Sequence, residues 1–286
     1  MNIWIEGARP KTLIASLSPV LIGSVIAFDQ GFFHPLIFLF TVLFALAIQV
    51  GTNFANDYFD FRKGADTDKR KGPRRLTAAG LVSPKTMKRV TGLIFGFAAL
   101  SALYLVMQGG WVIALLALLS ILFGYLYTGG PFPLSYLGIA DIFVLIFFGP
   151  IAVAGTVYLQ SGELSLVPIL AGFAPGLISM AILTSNNLRD MDEDRLAGKK
   201  TLPVRFGLTF GRFEYALCLI IASLIPILLV KITGRHQAVL FASTTLVIAW
   251  ALIKEAFKKE TFEPLLPKTG MWMTLYTAAF LIGWLI

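Results

Sequence analysis

Asn53, Asn56, Asp57 and Asp60 are spaced i, i+3, i+4, i+7, which puts four oxygen-bearing side chains on one face of a helix. Asp66 follows after Gly64, and then comes the basic stretch Lys69-Arg-Lys-Gly-Pro-Arg-Arg75. A second run, Asn186-Asn-Leu-Arg-Asp-Met-Asp-Glu-Asp194, repeats the pattern through Asn186/Asn187, Asp190 and Asp194. Arg189 sits inside it and Ala197-Gly-Lys-Lys-Thr201 follows, with Gly198 placed to end the helix and leave Lys199 nearby. Clustered carboxylate and amide oxygens suit hard cations, Mg2+ first and Mn2+ second. Lys and Arg beside them suit phosphate oxygens, Arg as a bidentate fork. A metal-bound diphosphate meets both requirements.

The elements that must hold these residues are membrane helices. Of 286 residues, 57% are hydrophobic and 14% charged, a polytopic membrane composition rather than that of a soluble domain. Spanning needs about 20 mostly apolar residues per helix. Nine spans are expected, near 12–28, 35–56, 90–108, 111–128, 137–159, 164–185, 214–232, 237–254 and 269–286, within one domain covering 1–286. No small-residue cleavage site follows the first apolar stretch, so it is expected to remain as a helix. Cys218 is the one cysteine, so no intrachain disulfide forms, and a buried thiol is expected.

The net charge of +8 follows the membrane and is no signal for nucleic acid. With the N-terminus inside, 22 of the 24 Lys and Arg fall on inner segments, and only Lys231 and Arg235 fall outside. The positive-inside rule therefore places both acidic runs on the cytoplasmic side and the C-terminus outside. An Asp at the centre of a spanning helix costs roughly 3 kcal/mol, so these acids must lie in a polar cavity or at the interface. Acids so placed are functional candidates. Both runs close an apolar span and precede a basic, glycine-containing loop, an echo that predicts two related halves facing each other. Lys85, Lys88, Arg89, Asp192 and Glu193 are read as solvated, and His34 and His236 as surface histidines on the outer side.

The motifs resemble those of the UbiA superfamily of intramembrane aromatic prenyltransferases, most closely its 1,4-dihydroxy-2-naphthoate branch. The resemblance runs through Arg9-Pro-Lys-Thr12, Asn53-x-x-Asn-Asp-Tyr-Phe-Asp60, Gly64-x-Asp-Thr67, Ala79-Gly-Leu-Val-Ser-Pro84, Tyr127-Thr-Gly-Gly-Pro131, Asn186-Asn-Leu-Arg-Asp-x-x-x-Asp194 and Ala197-Gly-Lys-x-Thr-Leu202. Asp141 stands where the branch often has Glu, and Gly72-Pro-Arg-Arg75 is a variant of the family pattern. The resemblance implies an all-α membrane protein of about nine helices around a central cavity, open to the cytoplasmic side and laterally to lipid. It implies transfer from a polyprenyl diphosphate to 1,4-dihydroxy-2-naphthoate, with loss of diphosphate and CO2, in the bacterial inner membrane.

Under that reading Asp57, Asp60 and Asp66 form one metal cluster and Asn187, Asp190 and Asp194 the other, with two Mg2+ expected per site. Asn53, Asn56, Arg74, Arg75, Arg189 and Lys199 support the diphosphate or position ligands. Tyr58, Phe59, Tyr125 and Tyr127 are candidates for shielding an allyl cation. Asp141 and Tyr127 are candidate bases for the acceptor. Other acceptors, 4-hydroxybenzoate among them, remain open. A divalent-cation or anion transporter is the competing class, but transporters place ions near the midplane on broken helices, and here both clusters sit at one face beside basic loops. An intramembrane aspartyl protease leaves the paired Asn and the basic loops without a role.

Overall fold

The computed structural model describes residues 2–65, 72–258 and 261–286, and among these every regular element is helical. A short α1 (Ile3–Ala8) is capped by the Asn2 side chain, which accepts from the Trp4 N–H at 3.0 Å. A single 3-10 turn, Pro10–Thr12, leads into α2 (Leu13–Asp29). Then come α3 (Pro35–Arg62), α4 (Pro84–Leu126), α5 (Leu134–Leu137), α6 (Ala140–Phe147), α7 (Pro150–Ser161) and α8 (Leu166–Arg189). The chain continues through α9 (Met191–Leu196), α10 (Leu202–Phe206), α11 (Leu208–Thr233), α12 (Leu240–Thr244), α13 (Leu246–Lys258) and α14 (Leu265–Leu285). Seven helical stretches among the described residues are long and apolar enough to cross a membrane, so this is an integral membrane protein.

The expected spans 90–108 and 111–128 both fall within α4. At Gly110 the backbone leaves the helix (φ 65°, ψ −155°), a conformation that favours glycine. The Phe95 ring lies against both Gly51 of α3 and Gly124 of α4. Residues 95 and 124 would stand about 43 Å apart on a straight helix, so α4 folds back at Gly110. The expected span 137–159 is broken between α6 and α7. A Cβ on Gly149 would come within 2.7 Å of the Gly172 carbonyl and 3.0 Å of Gly176 Cα, so the break is where α7 crosses α8 backbone to backbone. Lys85, Lys88 and Arg89 occupy the first turns of α4, which starts at the Ser83 cap rather than near residue 90.

The principal core lies where α2, α8, α11, α13 and α14 meet, and includes Ile22, Ile178, Tyr215, Leu219, Trp272 and Tyr276. Several buried hydroxyls are matched across helices. Ser18 and Thr277 pair at 2.6 Å, Tyr215 and Thr269 at 2.7 Å, and the Tyr276 hydroxyl donates to the Ala222 carbonyl at 3.1 Å. In an apolar surrounding each such group must find a partner within the bundle. Cys218 is buried, as expected. This packing leaves a cavity of about 510 Å³ walled by α2, α3, the second half of α4, α6, α7 and α8.

Candidate active site

The first acidic run occupies the last three turns of α3, with Asn53, Asn56, Asp57 and Asp60 all buried. Each has a defined partner. Asn53 Nδ2 donates to the Ala8 carbonyl at 2.9 Å, tying α3 to the N-terminal segment. Thr128 Oγ1 donates to Asn56 Oδ1 at 2.8 Å. Asp57 takes the backbone N–H groups of Leu76 and Thr77, one on each oxygen, at 2.7 and 2.9 Å. Asp60 accepts from Arg75 Nη2 at 2.9 Å and from the Tyr136 hydroxyl at 3.3 Å.

The second run is not one continuous helix. α8 ends at Arg189, Asp190 leaves helical geometry (φ −96°, ψ 9°), and α9 restarts at Met191. The break turns Asp190 toward the cavity. Arg189 grips it from Nε and Nη2, both at 2.6 Å, and also donates to Asn186 Oδ1. Gly198 adopts the left-handed conformation (φ 73°) that ends this segment, and the Lys199 N–H then donates to the Asp194 carbonyl at 2.9 Å. Lys199 Nζ reaches Asp60 Oδ2 at 3.5 Å and Asp194 Oδ1 at 3.4 Å, so the two runs do meet.

One end of the cavity is lined by Asn53, Asn56, Asp60, Arg75, Tyr127, Asn186, Asn187, Asp190, Asp194 and Lys199. Four expected residues are not brought to it. Asp57 lies behind the wall, fixing the loop at Leu76–Thr77. Arg74 is exposed at the surface. Arg189 is buried behind Asp190 and paired with it. Asp141 is buried between α6 and α11, with Glu214 as its carboxyl neighbour. Asp66 lies outside the described residues.

Among the candidate aromatics Tyr127 lines the cavity and Tyr58, Phe59 and Tyr125 do not. Those three pack on one another instead, Phe59 meeting Tyr58 at 5.0 Å and Tyr125 at 5.1 Å between ring centres. The cavity aromatics include Phe123, Phe143 and Phe147, and the Phe123 ring meets those of Phe143 and Phe147 at 4.7 and 5.4 Å. Their spacing reads as core packing in the sequence, which hides them.

Lys63 and Tyr136 also escape a sequence reading. Lys63 Nζ donates to the Thr128 carbonyl at 2.7 Å and lies 4.2 Å from the centre of the Tyr136 ring, with Lys199 Nζ at 5.4 Å from it. Burial pushes the Lys63 amine below its usual range, with Asp60 opposing the shift. Burial raises the Tyr127 phenol, with help from Asp141 and Asp194. Burial also raises the Asp194 carboxyl to about 6, against the pull of Lys199.

Among the described residues no group of three His, Cys, Asp or Glu side chains is close enough to cage an ion. Mg2+ needs only one or two carboxylates and takes remaining oxygens from water and substrate phosphate. Asp60, Asp190 and Asp194, with the Asn187 amide, are among the oxygens presented to the cavity.

The chain matches the UbiA prenyltransferase family over residues 16–277. It is 36% identical to the 1,4-dihydroxy-2-naphthoate octaprenyltransferase of Escherichia coli, across 98% of this chain and 94% of that protein. It is 33% identical to the protein of the same name from Mycobacterium tuberculosis, covering 96% and 94%. Human UbiA prenyltransferase domain-containing protein 1 is 30% identical over 98% of this chain and 82% of its own length. Among solved structures, a UbiA homolog from Archaeoglobus fulgidus bound to DMAPP and Mg2+ superposes with a TM-score of 0.69 at 15% identity, covering 99% of both chains. An apo UbiA homolog from Aeropyrum pernix gives 0.71 at 16% identity, covering 94% of this chain and 97% of that one. At those identities the likeness speaks for the fold.

Proposed function

This chain belongs to the UbiA prenyltransferase family and is a prenyltransferase, and from that premise we propose that it transfers a polyprenyl group from polyprenyl diphosphate to 1,4-dihydroxy-2-naphthoate. Diphosphate and CO2 leave, and the product is demethylmenaquinone. The observation that carries the reading is the meeting of Asp60, Asp190, Asp194 and Lys199 at one end of a mostly apolar cavity. The curated relatives named for the naphthoate reaction support the acceptor.

Mg2+, two ions in our reading, would be held by Asp60, Asp190, Asp194 and Asn187, with Asp66 a further ligand, and would supply Lewis-acid stabilisation of the leaving diphosphate. The chain's own residues do the rest. Arg189 fixes the Asp190 carboxylate in one orientation. Lys199 and Arg75 supply fixed positive charge beside the acids, where negative charge gathers on the leaving group. Asn53 and Asn56 hold α3 against the N-terminal segment and the Thr128 loop, so the acids stay in register. Phe123, Phe143 and Phe147 keep the adjoining wall dry and offer ring faces to an allyl cation. The bundle is read as nine crossings, counting α4 twice and adding α14, with the acid end on the cytoplasmic side by the positive-inside rule.

The test is product analysis by mass spectrometry. Purified protein receives an allylic diphosphate, Mg2+ and either 1,4-dihydroxy-2-naphthoate or 4-hydroxybenzoate. EDTA and Asp190→Ala serve as controls. A prenylated naphthoquinol lacking the carboxylate, made only with Mg2+ and intact Asp190, is expected. Transfer to 4-hydroxybenzoate alone overturns the acceptor.

A further inference from the structure

We propose that Tyr136 is a positioning residue whose ring holds the ammonium groups of Lys63 and Lys199 off the Asp60 carboxylate, keeping oxygen lone pairs of Asp60 open to Mg2+. The inference rests on the metal and donor reading above. It adds a residue that does not line the cavity and carries no metal-binding group.

Two parts of the chain converge on Tyr136, which belongs to α5. From α3, Asp60 Oδ1 accepts from its hydroxyl at 3.3 Å, and Lys63 Nζ lies 4.2 Å from its ring centre. From the loop after α9, Lys199 Nζ lies 5.4 Å from the same ring centre, and the Lys200 N–H donates to the Tyr136 carbonyl at 3.1 Å. A Cβ on Gly138 would strike the Lys200 carbonyl, so the chain just after Tyr136 meets this loop backbone to backbone. The ring is thus seated against the loop that carries Lys199.

Asp60 and Lys63 stand three residues apart at the end of α3, a spacing that favours an ion pair. Lys63 turns instead to a neutral acceptor, the Thr128 carbonyl at 2.7 Å, and to the ring. Lys199 Nζ stops 3.5 Å from Asp60 and 3.4 Å from Asp194. Those distances exceed the roughly 2.7–2.9 Å of a charge-assisted hydrogen bond. A carboxylate offers about four lone pairs. Arg75 takes one on Asp60 Oδ2 and the Tyr136 hydroxyl takes one on Oδ1. The rest are what Mg2+ can use, and two ammonium groups stand near enough to compete for them. The negative face of the ring attracts cations and so draws both away from the carboxylate.

A leucine at 136 keeps apolar bulk and removes the ring. Both lysines then gain most by closing on Asp60, and Mg2+ must displace them. A phenylalanine keeps the ring and loses only the hydroxyl.

The experiment measures melting temperature in EDTA and across a Mg2+ titration with excess geranyl diphosphate and no acceptor. It compares wild type, Tyr136→Phe, Tyr136→Leu and the leucine variant combined with Lys63→Met or with Lys199→Met. Tyr136→Leu is expected to raise the half-saturating Mg2+ concentration about tenfold. Tyr136→Phe stays within about threefold of wild type. Removing a lysine from the leucine variant removes the competing charge, so at least one double variant returns most of the way. Should Tyr136→Leu not fold, Tyr136→Met takes its place in the same series. A purely structural role would lower the melting temperature in EDTA and leave the Mg2+ curve unmoved, or move it in a way neither lysine change repairs. Either result overturns the inference, as does a phenylalanine variant as impaired as the leucine one. If geranyl diphosphate and Mg2+ do not stabilise even the wild type, the metal and donor reading fails, and the inference with it.

Discussion

Lys199 Nζ stands between two carboxylates from opposite parts of the chain, 3.5 Å from Asp60 and 3.4 Å from Asp194. Its side chain is 13% exposed, so these attractions are only partly screened by solvent. Lys199 is thus the cationic link between the C-terminal end of α3 and the loop after α9.

Replacing Lys199 by Met removes that link and the charge beside the leaving diphosphate. Loss of one fixed electrostatic contact of this kind lowers kcat by about 100-fold. Lys199→Arg keeps charge but not the compact ammonium and recovers part of the rate. Steady-state kinetics with saturating Mg2+ decide, and a Lys199→Met rate equal to wild type would remove Lys199 from the mechanism.

Asp57 and Asp60 sit three residues apart and do different work. Both Asp57 oxygens accept backbone N–H groups at Leu76 and Thr77. Asp57→Asn turns an NH2 toward one of those donors and leaves it unsatisfied, at about 1–3 kcal/mol. A lower melting temperature with an unchanged half-saturating Mg2+ concentration is expected. Asp60→Asn should instead raise the Mg2+ requirement and suppress product. If both substitutions shift the Mg2+ curve alike, Asp57 is a ligand after all.

The membrane class, the paired runs and their meeting were legible because charge is rare in this chain and its spacing is helical. The division of labour inside the runs was not. Asp57 and Asp60 share a helix face, and only the path of residues 75–77 makes one an anchor and the other a wall of the cavity. Asn186 to Asp194 reads as one helix because the break at Asp190 carries no glycine or proline signal. Tyr136 gives no sequence hint of its bond to Asp60, since the two lie 76 residues apart. The reversal of α4 was legible as two spans, since Gly109-Gly110 interrupts the apolar run.

The raised Asp194 carboxyl predicts a pH dependence with a definite sign. Its value lies near 6 in the folded chain against 3.8 for an unperturbed Asp. The folded chain therefore holds a proton that the unfolded chain has released between these values. Its contribution to stability is full below the unfolded value and is lost as pH rises through about 6. In EDTA at about pH 7, Asp194→Asn should melt higher than wild type, and the difference should shrink toward about pH 4. Mg2+ binding needs the ionised form, so the half-saturating Mg2+ concentration of the wild type should rise as pH falls through about 6. An Asp194→Asn variant that melts lower than wild type in EDTA at both pH values would contradict the burial argument.

The ring cluster predicts a change in product rather than in rate alone. Phe143 packs with Phe123 and Phe147 on the cavity wall, its ring centre 4.7 Å from the first and 6.3 Å from the second. An allyl cation formed beside these rings gains cation–π stabilisation and is kept from water. Phe143→Leu keeps an apolar wall of similar volume but removes a ring face. The loss expected is about 0.5–2 kcal/mol of cation stabilisation, or roughly 2- to 30-fold in rate. Phe143→Ser admits water as well, and water attacking the allyl cation gives the prenyl alcohol. The ratio of prenyl alcohol to prenylated ring, measured by mass spectrometry, should stay low in Phe143→Leu and rise in Phe143→Ser. A ratio unchanged in both, with the rate reduced, would assign Phe143 to packing alone.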